Sequence, residues 1–223
     1  MTIARWGIVP ILLNLALVAW LWWLLPDGWP RWVIGSAALA WLLFVINFFR
    51  NPARTPAGGA DCVVSSADGI VADIEEVDEP RVVGGRAVRI GVFMNVFDVH
   101  VNRACIDGEI ISAQYKPGRY LDVRHPDATH QNESHDLGIA VDTATAPGVR
   151  LLLRQISGLV ARRIVCTHGV GDRLRRGEVF GMIKFGSRVE IWLPVGSGTV
   201  AVTVGERVRA GETILFRFGA SGE

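Results

Sequence analysis

Ser187 follows a glycine, and the two residues lie in the segment GMIKFGSRVEI at positions 181–191. A serine hydroxyl held against the preceding carbonyl group can attack it and move the acyl group from nitrogen to oxygen. Gly186 favours this step because glycine adopts strained turn conformations that a Cβ atom would oppose. Elimination of the resulting ester leaves dehydroalanine, which tautomerises and hydrolyses to a pyruvoyl group. Gly186 and Ser187 therefore form a candidate self-processing site.

Two plainer interpretations fit the same segment. It can be a strand, a Gly-Ser turn and another strand, with no chemistry at all. Alternatively, Lys184 can be a carrier lysine at the tip of a hairpin. The sequence of this segment alone leaves all three interpretations open.

Other common signatures of chemistry are missing from the sequence. There is no HExxH or HxxxH spacing for a metal site, and no P-loop or GxGxxG pattern for a nucleotide. The nearest approach to a GxSxG elbow is the stretch at 196–198, which fits a turn. The three cysteines are widely spaced and indicate neither a disulfide framework nor a CxxC site, which fits a reducing compartment. The absence of a basic block argues against nucleic-acid binding.

The elements that must position this segment divide into two parts, and the first is an apolar segment at residues 1–50. Seven of the eight tryptophans lie in it. Residues 6–26 and 32–49 are uncharged runs of 21 and 18 residues. At about 1.5 Å per helical residue, each run approaches the roughly 30 Å hydrocarbon thickness of a bilayer. We predict a two-helix transmembrane hairpin that turns at residues 27–31.

The flanking charges predict how this hairpin is oriented. Arg5 precedes the first apolar run, and Arg50 and Arg54 follow the second. Cytoplasmic flanks carry an excess of positive residues, so both ends of the hairpin are expected in the cytoplasm. A cleaved signal peptide fits less well, because a second apolar run follows the first at once.

Residues 51–223 have the pattern of a mainly β domain, with short β-rich runs separated by glycine. The span 155–162 is at best a short helix, and the polar span 115–136 is predicted to be a long loop of the kind that often carries function. The predicted strands cover residues 69–74, 87–93, 149–153, 163–166, 189–193 and 200–203.

An internal repeat adds detail to this architecture. GDRLRRGEVF at 171–180 aligns with GERVRAGETI at 205–214, and five of the ten positions are identical. The pattern resembles the turn-and-strand signature of the biotinyl/lipoyl barrel-sandwich family, and its glycines suit tight turns. We predict a barrel-sandwich-like, duplicated domain, built either as a doubled barrel-sandwich or as two symmetric halves of one.

Six stretches of residues 51–223 are informative when they are taken together: ADG at 67–69, FMNVFDVHVNR at 93–103, YKPG at 115–118, NE at 132–133, QISGLVARRI at 155–164 and GMIKFGSR at 181–188. In this order, they resemble the short bacterial and archaeal branch of the phosphatidylserine decarboxylases.

The resemblance implies self-cleavage between Gly186 and Ser187, which yields chains 1–186 and 187–223 that stay together as a heterodimer. The shorter chain would begin with a pyruvoyl group made from Ser187. The resemblance also implies an Asp–His–Ser arrangement, in which His100 takes the proton of Ser187 and Asp68 orients the imidazole. No metal is implied.

Two departures from the family pattern concern the same site. Longer relatives have threonine where this chain has Arg188, and they have a second histidine where this chain has Phe97. If that histidine handles a proton during turnover, another residue must do so here. The remaining candidates are His100 and His135.

The resemblance further implies the reaction. The pyruvoyl ketone forms a Schiff base with the serine headgroup of phosphatidylserine and accepts the electron pair released with carbon dioxide, giving phosphatidylethanolamine. The candidates to bind the headgroup are His135 and one of Arg103, Arg119 and Lys184. The hairpin would anchor the enzyme in the inner membrane with its catalytic domain in the cytoplasm, and the family suggests association between copies.

The alternative without catalysis is a membrane-tethered barrel-sandwich carrier, acylated at Lys184, or an unmodified adaptor. Adaptors of the periplasmic type also use this fold, but the predicted cytoplasmic ends of the hairpin argue against that assignment. A single uncut chain would favour these alternatives over the decarboxylase.

Overall fold

The computed structural model describes residues 2–123, 125, 127–158, 163–184 and 186–219. The chain divides into two compact units, Met1–Ala53 and Arg54–Glu223. Of the described residues, those of the first unit are mainly helical and those of the second are mainly in strands. The expected combination of two apolar helices with a mainly β domain is therefore confirmed.

The first unit is a helical hairpin. Helix α1 (Ile8–Leu24) and helix α2 (Trp29–Phe48) are both apolar, and the spans Arg5–Leu24 and Trp29–Phe48 are long enough to cross a membrane. The turn is shorter than the predicted 27–31, because α2 already begins at Trp29. Pro30 explains the difference, since proline is well accommodated in the first turn of a helix.

Aromatic and glycine contacts hold the two helices side by side. The Trp22 and Trp32 rings meet edge to face near the turn, with 5.4 Å between their centroids. Gly35 lets Trp22 approach α2, since a Cβ atom there would lie 3.0 Å from the indole. At the other end, strands β1 and β2 pair antiparallel, and Gly7 adjoins Phe49. The two ends of the hairpin therefore lie together.

Sixteen strands, the 3-10 turn Arg5–Gly7 and a one-turn helix, α3 (Ala128–Gln131), complete the secondary structure of the described residues. The strands are β1 (Thr2–Ile3), β2 (Arg50–Asn51), β3 (Cys62–Val64), β4 (Gly69–Glu79), β5 (Gly85–Met94), β6 (Val101–Arg103), β7 (Gly108–Lys116), β8 (Ser134–Val141), β9 (Arg150–Ser157), β10 (Ile164–Cys166), β11 (Arg173–Leu174), β12 (Val179–Ile183), β13 (Ser187–Pro194), β14 (Gly198–Val200), β15 (Arg207–Val208) and β16 (Ile214–Phe218).

The second unit is organised around a curled eight-stranded sheet with the order β11-β7-β8-β9-β13-β5-β4-β15. Two three-stranded sheets, β10-β12-β6 and β14-β16-β3, accompany it. The inner face of the curled sheet carries apolar side chains such as Val189, Ile191 and Leu153, which belong to the main core. Strand β13 lies between β9 and β5, so the residue that begins it is placed within the sheet rather than at an edge.

The sequence repeat corresponds to an internal symmetry of this unit. Its first copy contributes β11, which pairs with β7, and β12, which pairs with β6. Its second copy contributes β15, which pairs with β4, and β16, which pairs with β3. The copies thus occupy opposite edges of one eight-stranded sheet. Of the two predicted forms of the repeat, this topology favours two symmetric halves of one fold.

Three local predictions need correction. The span 155–162 does not begin as a helix, because β9 continues to Ser157, and residues 159–162 lie outside the described residues. The polar loop predicted at 115–136 is shorter, because β7 extends to Lys116 and β8 begins at Ser134. Of the last predicted strand, residues 200–203, only Val200 belongs to an observed strand, β14. Cross-strand pairing outweighs the local polarity in the first two cases.

Candidate active site

Ser187 begins β13 and lies inside the protein. Its main chain pairs with Met94 of β5 on one side and with Ser157 of β9 on the other. The side chain has no solvent exposure, and its hydroxyl donates to the Met94 sulfur at 3.2 Å. The ladders on both sides fix the backbone, so the hydroxyl occupies a defined position on the inner face of the sheet.

The peptide before Ser187 is held in an uncommon conformation. Gly186 has φ +62°, in the left-handed region that side chains disfavour. Its carbonyl oxygen lies against Gly158, where a Cβ atom would approach that oxygen to 2.1 Å. Two glycines therefore make this arrangement possible, one through its own conformation and the other through the space it leaves.

His100 is buried beside the strand that leads to this peptide. Its carbonyl oxygen accepts the N–H of Ile183 at 3.4 Å, which joins it to the end of β12. The ring atom Nδ1 lies 3.0 Å from the carbonyl oxygen of Asp98. Because a carbonyl can only accept, Nδ1 carries a proton, and in the neutral form of the ring the basic lone pair lies on Nε2. This tautomer suits a general base.

Asp68 makes its hydrogen bonds elsewhere. One carboxylate oxygen accepts from Arg54 at 2.9 Å, and the other accepts the N–H of Ala210 at 2.8 Å. Burial raises the pKa of Asp68, and the opposing effects of Ala210 and Arg54 offset only part of that rise. The charge of the Asp98 carboxylate contributes a further small rise to this pKa. The backbone of Asp98 rather than Asp68 therefore provides the acceptor for His100 Nδ1.

The other predicted headgroup ligands are dispersed. Arg103 is buried and donates to the carbonyl oxygen of Gly177 at 2.8 Å, and burial followed by the charge of Arg54 lowers its pKa. Arg119 is exposed and forms an isolated bridge with Asn132. Neither is brought next to Ser187 by a strand pairing.

Lys184 lies between β12 and β13, and its N–H donates to the carbonyl oxygen of Arg163 at 3.3 Å. Burial and the charge of Arg163 lower its pKa. Because β12 and β13 belong to different sheets, Lys184 lies on a crossover and not at the tip of a β-hairpin. This position removes the geometric basis for a carrier lysine.

His135 does share a face with Ser187. It pairs with Gln155 of β9, and Gln155 in turn pairs with Val189 of β13. Residues that are directly opposite in an antiparallel sheet point to the same side. Burial lowers the pKa of His135, with Asp136 acting in the opposite direction, so the ring is neutral at neutral pH.

The sequence interpretation missed Glu133, Gln155 and Ser157 as site residues. The main-chain carbonyl of Glu133 accepts from both the N–H and the hydroxyl of Ser157, which itself pairs with Ser187. All three are nearly or fully buried. A signal was present in the spacing, since 133/135 and 155/157 are polar pairs two residues apart, as expected for one face of a strand.

Phe97 stands where the resemblance implies a second histidine. Its side chain is 66% exposed and lines a cavity of about 280 Å³ with Ile70 and Asp98. An aromatic ring there offers no proton, so the structure gives this position an apolar surface in place of an acid or base. Among the described residues, no group of three or more His, Cys, Asp or Glu side chains could hold a metal ion.

Comparison with known proteins identifies the family. The family model described as phosphatidylserine decarboxylase matches residues 41–216. A protein of Symbiobacterium thermophilum named phosphatidylserine decarboxylase proenzyme is 42% identical over 206 residues, which are 86% of this chain and 94% of that protein. The namesake of Trichlorobacter lovleyi is 46% identical over 187 residues, covering 84% and 82%. The namesake of Rhodopirellula baltica is 42% identical over 208 residues, covering 92% and 81%.

The range of the family model includes Ser187, His100 and the paired residues of β8 and β9. The chain belongs to the phosphatidylserine decarboxylase family, a family of carboxy-lyases.

Proposed function

We propose that this protein is a membrane-anchored proenzyme that cuts itself between Gly186 and Ser187 and then decarboxylates phosphatidylserine to phosphatidylethanolamine. The observation that supports it most is the placement of the Gly186–Ser187 peptide. A buried serine hydroxyl follows a glycine with φ +62°, in a protein whose curated relatives are named proenzymes.

The self-cleavage uses groups of this chain alone. The Ser187 oxygen bonds to the Gly186 carbonyl carbon while the peptide C–N bond breaks. His100 removes the hydroxyl proton and returns it to the leaving nitrogen. Elimination then releases the Gly186 carboxylate and leaves dehydroalanine at 187. This residue tautomerises to an imine, and water releases its nitrogen as ammonia.

The residues around Ser187 fit the pyruvoyl group that results. They are buried, and polar atoms of Glu133 and Gln155 lie on the same face of the sheet without a protein partner among the described residues. A pyruvoyl group supplies an electrophilic ketone and an acceptor for the electron pair that decarboxylation releases. The protein supplies the position, the exclusion of water and the groups that bind the substrate.

Asp68 has a supporting part in this proposal. The charge of Asp98 acts on the pKa of Asp68, and the Asp98 carbonyl orients His100. We assign Asp68 to stabilising the positive charge that His100 acquires when it takes the proton. Arg54 holds Asp68 in place through their ion pair.

The cut chains are expected to remain together as a heterodimer. Strand β13 belongs to the short chain but pairs along its length with β5 and β9 of the long chain. The hairpin Ile8–Leu24 and Trp29–Phe48 would keep the catalytic unit at the inner membrane, on the cytoplasmic side. Arg5 and Arg50 support this orientation, while Arg54 is engaged with Asp68 and Glu212.

Intact-mass analysis of the purified full chain tests the proposal. We expect fragments 1–186 and 187–223, the shorter lacking a free amino terminus, together with release of carbon dioxide from phosphatidylserine. The Ser187→Ala variant should remain one uncut and inactive chain, because it has no nucleophile. A folded wild-type chain that stays uncut would overturn the proposal.

A further inference from the structure

Three polar residues form a cluster on the inner face of the curled sheet, next to Ser187. We call Glu133, His135 and Gln155 the acceptor cluster. Glu133 faces Ser157, which pairs with Ser187, and His135 pairs with Gln155. Side chains opposite each other lie about 5 Å apart at Cβ, and neighbours along one face lie about 7 Å apart. The three side chains are therefore close neighbours.

Each residue of the acceptor cluster has a buried atom without a protein hydrogen-bond partner in the described part of the chain. These atoms are Glu133 Oε2, His135 Nδ1 and Gln155 Oε1. Glu133 is 4% exposed and Gln155 is 0% exposed. A buried acceptor left unsatisfied costs about 1–3 kcal/mol, and more when it is charged. Three such atoms in one cluster indicate a binding site.

Neighbouring contacts fix which atoms remain available. The Tyr115 hydroxyl donates to Glu133 Oε1 at 3.0 Å, which leaves Oε2. Gln155 Nε2 donates to Asn102 Oδ1 at 2.8 Å, which leaves Oε1 as an acceptor. Burial lowers the pKa of His135, so the neutral ring can accept at Nδ1. The cluster thus offers up to three acceptors, one of them a carboxylate oxygen.

This set of acceptors matches one kind of ligand group. A primary ammonium has three N–H donors, no acceptor and a positive charge that a carboxylate attracts. A phosphate or a carboxylate has the opposite properties, and Glu133 would repel it. Among the groups of the phosphatidylserine headgroup, the amino group is therefore the one whose donors and positive charge match this cluster.

We propose that Glu133, His135 and Gln155 bind the primary ammonium group of the phosphatidylserine headgroup beside the processed Ser187. This inference rests on the proposed function, because it requires a reactive group at position 187. The acceptor atoms are buried in the uncut chain, and we expect scission at Gly186, whose carbonyl oxygen adjoins Gly158, to give the substrate access to them.

The test measures binding on processed enzyme whose ketone has first been reduced with borohydride, which removes covalent capture. The probes are dihexanoyl phosphatidylethanolamine, with a primary ammonium, and dihexanoyl phosphatidylcholine, whose quaternary ammonium has no N–H donor. We expect the wild type to bind the first at least about tenfold more tightly, since tenfold corresponds to one charged hydrogen bond of about 1.4 kcal/mol. In Glu133→Gln the preference should fall below about twofold.

Glu109→Gln is the matched control, because Glu109 is exposed at the far end of β7 and should leave the preference unchanged. Glu133→Asp keeps the charge and should retain part of the preference. If neither Glu133 variant is processed, Tyr115→Phe decides. Tyr115 is 55% exposed, so this variant should fold. Loss of the hydroxyl that holds Glu133 Oε1 should weaken the binding of the lipid with the primary ammonium and leave that of the other lipid unchanged.

Equal binding of the two lipids by the reduced wild type would overturn the ammonium site. Full preference in a processed Glu133→Gln variant would also overturn it, as would full preference in Tyr115→Phe when that variant decides. The mass spectrum separates this failure from failure of the proposed function. An uncut chain, or a short chain that gains no hydrogen on reduction, would contradict the pyruvoyl group itself.

Discussion

The two faces of strand β13 bury polar residues in opposite ways. On the outer face, Arg188 pairs with Asp73 and Glu190, and Glu190 also accepts from Thr129 and from the Trp192 indole. On the inner face, Ser187 is next to the acceptor cluster, each residue of which has one buried atom without a hydrogen-bond partner among the described residues. Buried polar groups that satisfy one another build the sheet, and those that do not are available for a substrate.

Charges across the outer face continue this saturated network. Arg154 and Asp136 form a two-bond pair at 2.7 and 2.8 Å, and Arg81 also contacts Asp136. Burial acts to raise the pKa of Asp136, but Arg154 and then Arg81 hold it below its ordinary value. Arg188 itself reaches Asp73 across Gly91, where a Cβ atom would lie 2.2 Å from the guanidinium. Arg188 is thus a structural residue of the outer face.

The largest expected effect comes from breaking the ion pairs of the outer face. Arg188→Thr leaves Glu190 buried without its cationic partner and should lower the free energy of unfolding by about 3–5 kcal/mol. Urea unfolding of the full chain in detergent measures it. Arg86→Thr removes an exposed pair with Glu76 and should cost at most about 1 kcal/mol. Equal losses in the two variants would show that the outer network is not structural.

The next effect concerns the rate of self-cleavage. His100→Ala removes the proposed base and should slow the appearance of the 187–223 fragment at least about a hundredfold. Intact-mass analysis over time provides the rate. His130→Ala, at an exposed position, should be cut like the wild type. Normal processing of His100→Ala would refute the role given to this residue.

The smallest effect tests the glycine contact behind the cleavage site. In Gly158→Ala the new Cβ atom would displace the Gly186 carbonyl oxygen, and a misplaced carbonyl should slow cutting about tenfold or more. The same time course measures it. Gly169→Ala is the control, since no atom lies within 4 Å of a Cβ atom there. Wild-type kinetics in Gly158→Ala would show that the contact does not position the peptide.

The sequence predicted the elements whose signals are local. Two uncharged runs predicted the helices, glycine-bounded β-branched runs predicted β4, β5 and β13, and the motif at 181–188 located the candidate peptide. It predicted the 115–136 region less well, because whether Tyr115 and Lys116 extend a strand depends on pairing with β8. Likewise, the short helix considered for 155–162 is wrong at Gln155, because this residue belongs to a strand that pairs with His135.

By itself, then, the sequence determined the class of the protein: an apolar hairpin, a β domain with an internal repeat, and a Gly-Ser peptide fit for self-cleavage. These follow from composition, periodicity and residue chemistry, which act over a few neighbours. Only the tertiary structure decided that Arg188 and Ser187 face opposite sides, and that Glu133, His135 and Gln155 lie beside Ser187. Strand register brings residues distant in the chain onto one face, and no local pattern fixes it.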